Sequence, residues 1–406
     1  MTSVTKLSAY PASVQPGIPK LLDTPEGWRR APLSEYLKEV PRRIKMDDDE
    51  EFNLVTVKRS RGGVVLRERL TGREISVKSQ FKIEEGDFLI SKRQIVHGAC
   101  GLVPAELAGS IVSNEYSVLR DKGNICLSYL NYLAHSTYFQ QTCFHSSIGV
   151  HIEKMIFKLD RWLGWEFNVP PLSEQKRIAE ILSAWDRAIE TTEKLIANSE
   201  AQKKALMQQL LTGKKRLPGF SGEWTKGKFG DIAKIRKGKA LSSKDLKPGP
   251  YPVIAGGKAS PYSHAEFTHT DVVTVSASGA YAGYVAFHPR KIWASDCSVI
   301  QGTDHLDIDY AFHYLSWNQT KIYSLQSGGA QPHIYPSDIE NLKISAPHID
   351  EQKAIAELLS SAGKSCKLLR KEAGLLHAQK SALMQQLLTG KRRAKVSSDN
   401  KEAAVA

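Results

Sequence analysis

A serine hydrolase site is the first chemistry that the residue types suggest. Ser276 and Ser278 follow an apolar segment, and Asp296 and His333 lie downstream. The nucleophilic serine of an α/β hydrolase stands in a G-x-S-x-G turn, and neither of these serines has that context. The sequence therefore predicts that the four residues do not form a catalytic triad.

The loops that hold nucleotides and metals are also incomplete. Gly256-Gly257-Lys258 lacks the spacing and the hydroxyl of a P-loop, and no G-x-G-x-x-G follows a strand. Asn168-Val169-Pro170-Pro171 resembles the N-P-P-aromatic loop of adenine methyltransferases, but a valine intrudes and a hinge before a helix is the better interpretation. Asp245-Leu246-Lys247 is a D-x-K without an upstream acidic partner, and the histidines lack metal-ligand spacing. We expect no catalytic residue, no cofactor site and no metal site in this chain.

The net charge of +13 instead indicates a large anionic partner, of which nucleic acid is the commonest. Ten Lys/Arg stand against five Asp/Glu between residues 52 and 105, and eleven against five between 225 and 300. A basic surface that serves only solubility is the alternative. The excess occurs at comparable places in both halves of the chain.

Composition sets the remaining bounds. The 406 residues allow two or three domains with their own cores, and the apolar content of 41% is that of a globular protein. No apolar run reaches the roughly eighteen residues of a membrane span, and the first residues lack the apolar region of a signal peptide. The five scattered cysteines favour a reducing cytoplasm over disulfides or a zinc site.

A long internal repeat determines which elements position these residues. The string ALMQQLLTGK occurs at Ala205–Lys214 and at Ala382–Lys391, 177 positions apart. At the same offset Glu174-Gln175-Lys176 matches Glu351-Gln352-Lys353. The period is far too long for a solenoid, so the chain contains two copies of one large module.

Each copy contains a helix with a heptad seam, in which apolar positions recur at alternating steps of four and three. Lys203 and Lys380 are matched polar interruptions of that seam, and Gly213 and Gly390 are helix stops. A stripe of this kind is not buried alone, so we expect the two helices, each about 60 Å long, to pair as an antiparallel coiled coil. Two independent helices packed on their own domains are the alternative. The main predicted interface residues are Ile178, Leu182, Trp185, Leu206, Leu210, Ile355, Leu359, Leu383 and Leu387.

The segments between the helices are predicted to be mixed α/β domains. Residues 217–346 are rich in β-branched residues, aromatics and glycine, with a helix expected at Asp309–Ser324. The first segment has the same order: 86–91 parallels 270–276, Gly98 parallels Gly279, and Leu127–Ser136 parallels the later helix. The fold class is therefore α+β, with two pseudo-symmetric globular α/β domains separated by two long helices. The loops differ more than this framework, as expected when a scaffold is kept and recognition varies.

Over nearly its whole length the chain resembles the specificity subunit of type I restriction–modification systems. The resemblance rests on the helix openings at Pro171–Lys176 and Pro347–Lys353 and on the paired Leu-Leu-Thr-Gly ends at 210–213 and 387–390. Further matching segments are Tyr251-Pro252-Val253-Ile254, Trp293-Ala294-Ser295-Asp296 and Gln331-Pro332-His333-Ile334. In the first domain Ser147-Ile148-Gly149-Val150 stands in place of the last segment, which suggests that the two domains recognise different sequences.

The resemblance implies a DNA-recognition subunit in which each variable domain reads one half of a split, asymmetric double-stranded DNA target. The helices would set the gap between the halves and dock two modification (methyltransferase) subunits. Those partners would bind S-adenosylmethionine and methylate adenine N6, and restriction/translocase subunits would add ATP- and Mg²⁺-dependent cleavage. Under this hypothesis the predicted DNA contacts are Lys58, Arg59, Arg61, Lys92, Arg93, Arg236, Lys237, Lys239, Lys258, Gln331 and His333.

The predicted domain bounds are 1–170 and 216–346 for the recognition domains, 171–215 and 347–391 for the helices, and 392–406 for a disordered tail. Two functions of other classes stay open at this point. One is a non-catalytic protein–protein scaffold that binds an acidic partner, and the other is an enzyme whose site has no recognisable motif. Steeply salt-dependent binding to one duplex sequence distinguishes DNA recognition from the scaffold.

Overall fold

A computed structural model describes residue 14 and residues 17–258 and 261–395, and the predicted tail beyond 395 lies outside the described residues. The chain divides into two compact units, Met1–Glu190 with Gly374–Ala406, and Thr191–Ala373. Both boundaries fall inside the long helices. Each unit therefore consists of one α/β domain, the start of the helix that follows it and the end of the other helix.

The α/β domain of the first unit contains two four-stranded sheets. Its strands are β1 (Arg29–Pro32), β2 (Leu37–Glu39), β3 (Glu51–Val57), β4 (Val64–Thr71), β5 (Gln80–Lys82), β6 (Phe88–Ser91), β7 (Cys100–Leu102), β8 (Ile111–Ser113), β9 (Tyr116–Asp121), β10 (Ser147–Ile148), β11 (Ile156–Phe157) and β12 (Glu166–Val169). Its helices are α1 (Leu127–Leu133), α2 (Thr137–His145) and α3 (Leu159–Leu163). The sheets have the orders β2-β9-β6-β7 and β4-β3-β8-β5, and β1 pairs with β12 and β10 with β11.

Strand β6 lies inside the domain because every one of its four residues is buried. Phe88 and Ile90 pack in the core that contains the helix aromatics, such as Tyr129 and Trp162. Leu89 belongs to the core on the opposite face, which includes residues of the second sheet. Side chains of a strand alternate between faces, so one apolar run fills two layers. The domain is therefore a helix layer, a sheet and a second sheet.

Helix α4 (Leu172–Leu210) follows, and then the α/β domain of the second unit. The strands of that domain are β13 (Thr225–Lys228), β14 (Lys234–Lys237), β15 (Tyr251–Ile254), β16 (Ser263–His264), β17 (Val272–Ser276), β18 (Val285–His288), β19 (Trp293–Ala294), β20 (Cys297–Gln301) and β21 (Lys343–Ala346). Its helices are α5 (Phe229–Ile232), α6 (Ile308–Trp317), α7 (Gln319–Tyr323) and α8 (Pro336–Glu340). Helix α9 (Ile349–Leu388) comes last.

The main sheets of the two domains have the same topology, β2-β9-β6-β7 in the first and β14-β20-β17-β18 in the second. The pair β13–β21 likewise corresponds to β1–β12. The second sheet differs, since β16-β15-β19 has three strands and its counterpart has four. The predicted α/β repeat is thus confirmed, and the second sheet is where the copies diverge.

One predicted helix is in fact two. The structure ends α6 at Trp317 and begins α7 at Gln319, and Asn318 between them has φ −87° and ψ 11°. The Gln319 amide accepts from the Val285 N–H (3.1 Å) and donates to the Gly283 carbonyl (2.7 Å). These bonds tie α7 to strand β18 and its turn, so the chain bends where helical periodicity alone predicts continuity.

A glutamine fastens the start of each long helix to its own domain. Gln175 donates to the carbonyls of Pro170 (2.9 Å) and Asn124 (3.2 Å), and its amide oxygen accepts from the Cys126 N–H (2.8 Å). Gln352 makes the same three bonds, to Pro347 (3.0 Å) and His305 (2.9 Å) and from Asp307 (3.0 Å). Because both amides are buried, these bonds fix the direction in which each helix leaves its domain.

The glutamate that precedes each of these glutamines accepts hydrogen bonds from an arginine that follows the other long helix. Arg393 donates from Nε and Nη2 to Glu174 (2.8 and 2.7 Å), and Arg216 donates in the same way to Glu351 (2.6 Å each). Both carboxylates are buried, and bidentate pairs are the strong class of charged hydrogen bond. In both units, therefore, the end of one long helix is anchored beside the start of the other.

The predicted seam is the packed face of both helices. In the first unit Ile178 and Leu182 share a core with Leu387, and in the second Leu210 shares one with Leu359. The start of each helix meets the end of the other, so the pairing is antiparallel, as predicted. All the predicted interface residues are buried or half-buried. No helix in the described ranges is long and apolar enough to cross a membrane.

Candidate nucleic-acid interface

Three loops of the second domain meet at one edge of the main sheet. The segment Gln331–Ile334 runs beside Ala277–Gly279, with bonds from the Gly279 N–H to the Pro332 carbonyl (3.0 Å) and from the Ile334 N–H to the Ala277 carbonyl (2.9 Å). The third loop, Gly256–Lys258, follows strand β15. The structure therefore brings Lys258, Gln331 and His333 to neighbouring loops, although up to 75 positions separate them in the chain.

Asp296 holds these loops together. Its carboxylate accepts a short hydrogen bond from the Ser278 hydroxyl, and its carbonyl accepts from the N–H groups of Ala277 (3.1 Å) and Gly256 (3.4 Å). Gly256 has φ +44°, and a Cβ there would lie 3.3 Å from the Ser278 carbonyl. Because Ser278 donates directly to Asp296, no histidine stands between them, and the arrangement is a loop anchor without the order of a hydrolase triad.

Aromatic rings support the cations at this edge. The Lys258 ammonium lies 5.1 Å from the ring centroid of Tyr281 and 5.6 Å from that of Tyr284. The His333 ring stacks on Tyr335 at 6.3 Å and 19°. Tyr281 is 43% exposed and Tyr335 55% exposed. An ammonium held by ring faces, without a carboxylate among its described neighbours, keeps its charge available to an anion.

The strand β14 region carries the other predicted contacts of this domain. Arg236 and Lys237 are exposed, but successive strand residues point to opposite faces, so β14 cannot direct both at the same groove. Lys239 is also exposed, and its ammonium lies 5.2 Å from the ring centroid of Trp293. Lys239 thus resembles Lys258 in being supported by an aromatic ring.

The five predicted contacts of the first domain form one cluster. The turn that contains Arg59 and Arg61 packs on the segment after β6, with a bond from the Arg61 N–H to the Gly98 carbonyl (2.8 Å). Lys92 donates to the Asn114 carbonyl (2.9 Å) at the same end of the sheet. Ser60 and Arg61 have φ +55° and +59°. Left-handed conformations of non-glycine residues are strained, and strained loops concentrate at functional sites.

These cations differ in whether they pair with a carboxylate of the same domain. Arg59 pairs with Glu153 (2.8 Å), and Arg93 pairs with Glu115 (2.7 Å). Both pairs are exposed and therefore weak, so a phosphate can compete for the arginines. The Arg61 guanidinium lies against Gly98, and its Nε is buried without an acceptor in the described structure. Lys58 is exposed and has no carboxylate partner among the described residues, so its ammonium group is available to an anion.

Burial shifts the pKa of several thiols and imidazoles towards their neutral forms. Burial raises the pKa of the Cys100 and Cys297 thiols to about 12, with Arg61 opposing the shift at Cys100. Burial also lowers the pKa of His135 and His313 to about 4. All five cysteines are free thiols. Among the described residues no three His, Cys, Asp or Glu side chains are grouped as metal ligands.

The comparison with protein families decides the kinship of this chain. A family model described as the type I restriction modification DNA specificity domain matches residues 44–200 and again residues 221–374. The chain belongs to this family. Each match spans most of one α/β domain together with a long part of the helix that follows it, so the family unit is the repeated module.

Individual relatives support the same assignment. The chain is 24% identical over 423 aligned positions to the type I restriction enzyme MjaVIII specificity subunit of Methanocaldococcus jannaschii, covering 92% of this chain and 95% of that protein. It is 30% identical over 251 positions to the putative MjaX specificity subunit of the same organism, covering 56% and 59%. The crystal structure of a type I system S subunit from M. genitalium shares the fold, with a TM-score of 0.61 at 15% identity over 91% of this chain and 97% of that one.

The sequence did not predict every residue that supports these loops. The rings of Tyr281 and Tyr284 were not predicted, because tyrosines among glycine and apolar residues are typical of a buried strand, and the sequence did not single out Tyr335. The anchoring arginines were also missed, although Arg216 and Arg393 lie at the same 177-residue offset as the repeat. That offset was the available signal.

Proposed function

We propose that this chain is the DNA sequence-recognition subunit of a type I restriction–modification complex. Each α/β domain reads one half of a bipartite, asymmetric duplex target. The observation that carries the proposal is the repeated specificity module, with one sheet topology and two different sets of loops. A shared scaffold with different loops supports one docking geometry and two different base sequences.

The candidate contact residues divide into two groups. Lys58, Lys239 and Lys258 are suited to phosphates, because they are exposed ammonium groups without a carboxylate partner among the described residues. Gln331 and His333 are suited to base edges, because amide and imidazole groups offer the donors and acceptors that the major groove pairs with. Gln331 can pair bidentately with adenine.

The paired helices set the distance between the half-sites and dock two modification subunits. Leucines outside the seam remain exposed on the long helices, namely Leu195, Leu358, Leu368 and Leu375. These exposed side chains are available for contact with a docked modification subunit. The modification subunits bind S-adenosylmethionine and methylate adenine N6, and restriction subunits add ATP and Mg²⁺ chemistry. The complex acts in the cytoplasm, and this chain contributes specificity without catalytic residues.

A methylation map tests this proposal. The chain is expressed with the modification subunit from the same system in a host that lacks adenine methylation, and methylated adenines are located by sequencing. The expected result is methylation at one bipartite sequence, which disappears when either subunit is omitted. Methylation by the modification subunit alone at the same sites would contradict the proposal, as would methylation of a continuous sequence.

A further inference from the structure

Two matched lysines, Lys203 and Lys380, interrupt the helix seam, and their surroundings differ. In the first unit Lys380 makes a short ion pair with Asp186, and its ammonium lies 5.5 Å from the ring centroid of Tyr132. The Tyr132 hydroxyl donates to the same carboxylate (2.7 Å). The charge of Lys380 is therefore neutralised and covered inside the unit.

In the second unit the corresponding counterion is missing. The residue 177 positions after Asp186 is Gly363, and a Cβ there would lie 3.3 Å from the Lys203 ammonium. The counterpart of Tyr132, counted from the residue bonded to each helix glutamine, is His313, which bonds to Ser360 (2.9 Å). No described carboxylate pairs with Lys203, although this lysine is half-buried. A half-buried charge without a counterion favours any carboxylate that can reach it.

A basic groove opens at this place. It has a volume of about 660 Å³ and is lined mainly by Lys203, Lys204, Lys367, Arg370, Trp317 and Gly363. Arg370 is already paired with Glu200 (3.0 Å), which leaves three lysines without a described carboxylate. Trp317 packs on the core and lines the same groove. Unpaired lysines beside an indole ring form a surface for an acidic peptide.

We propose that this groove binds an acidic segment of one modification subunit, whose carboxylate takes at Lys203 the place that Asp186 takes at Lys380. The inference rests on the proposed function and goes beyond it, because the first unit has no free counterpart of Lys203. The two docked subunits are then not equivalent. A peptide suits the observations better than DNA, because a duplex is too wide to enter a cavity of this size.

Three variants test the groove with the purified modification subunit as the probe. Gly363→Asp supplies the missing counterion, and only the flexible end of Lys203 lies near the new Cβ. Gly363→Ala changes the same position without charge. Gly374→Asp adds the same charge on the same helix, where a Cβ meets nothing within 4 Å. Each variant removes a helical glycine, so none should melt at a lower temperature than the wild type.

We expect Gly363→Asp to weaken binding of one of two modification subunits about tenfold, as loss of one charged contact does, with the other variants at the wild-type affinity. Titration calorimetry measures both affinities and the stoichiometry. Equal affinities for Gly363→Asp and Gly374→Asp overturn the inference. Weaker DNA binding by Gly363→Asp with unchanged subunit affinity also overturns it and assigns the groove to DNA. A wild-type chain that binds no modification subunit contradicts the proposed function itself.

Discussion

At the scale of single residues, the proposed recognition depends on cations that aromatic rings hold in place. Lys258→Ala removes a positive charge supported by Tyr281 and Tyr284. We expect weaker binding to all duplex sequences, with the slope of log affinity against log salt concentration reduced by about 0.9. Lys343→Ala is the matched control, because this exposed lysine lies in strand β21. Fluorescence anisotropy over a salt series measures the slope, and a changed base preference would show that Lys258 reads bases.

Residue types suggest candidate DNA contacts, and these stay predictions. Basic loops and the Gln331-Pro332-His333 segment were identified as candidates from the sequence, because cations and amides are the groups that contact phosphates and bases. The partners of Arg59 and Arg93 were not, since Glu153 lies 94 positions away and Glu115 lies 22 positions away. Which arginines are paired within the domain is a property of the fold, and a single sequence does not contain it.

Buried histidine makes the stability depend on pH. His313 is 3% exposed, and burial, aided by Lys203, lowers its pKa to about 4, whereas an unfolded histidine has a pKa of about 6.5. Between those values the unfolded chain binds the additional proton. The stabilising contribution is thus complete above about pH 6.5 and is lost as the pH falls towards 4.

We expect His313→Gln to reduce this pH dependence by about 2–3 kcal/mol across that range, if glutamine keeps the bond to Ser360. Urea denaturation between pH 4 and 7 measures it. His348→Gln is the control, because His348 is exposed at the start of α9. A pH profile for His313→Gln that superimposes on that of the wild type would exclude His313 as the source.

At the scale of elements, two buried glutamines orient the long helices. Gln175→Ala removes three hydrogen bonds and leaves the Cys126 N–H without its acceptor. We expect a loss of about 2–4 kcal/mol in the free energy of unfolding, which thermal denaturation measures. Gln202→Ala, on the exposed side of α4, should change it by less than about 0.5 kcal/mol. Equal melting of the two variants would mean that the anchor is unimportant.

Periodicity predicted the long helices well and the short ones poorly. The heptad seam identified the buried face of α4 and α9, because a sustained step of three and four residues has one structural solution. The break at Asn318 was not predicted, since it arises from the bonds of Gln319 to strand β18 and its turn. Local pattern determines a helix of forty residues, whereas tertiary contacts decide where a helix of ten residues ends.

At the scale of the whole molecule, the repeat predicted two modules but not how the units divide. The compact units exchange helix ends, because Arg216 and Arg393 bind the glutamates of the opposite helix starts. The different second sheets were also not predicted, since their strands are short and share no sequence match. The features that the two modules share can be read from one sequence, whereas the features in which they differ require the structure.

In the proposed function the domains read bases while the helices set the spacing. The structure shows where to insert a heptad, because Ser199 contacts Cys366 (3.1 Å) across the seam. Seven residues added after Ser199 and seven added before Cys366 lengthen both helices by about 10 Å and leave the seam in phase. A duplex rises by about 3.4 Å per base pair. The added 10 Å of helix therefore corresponds to a spacer that is longer by up to about three base pairs.

A methylation map of the double-insertion variant is the most direct test. We expect unchanged half-sites separated by a spacer that is longer by one to about three base pairs. An insertion in α4 alone, which puts the seam out of register, serves as the control and should abolish methylation. Altered half-sites at the original spacing would contradict this division of roles, because recognition would then depend on the helices and spacing on the domains.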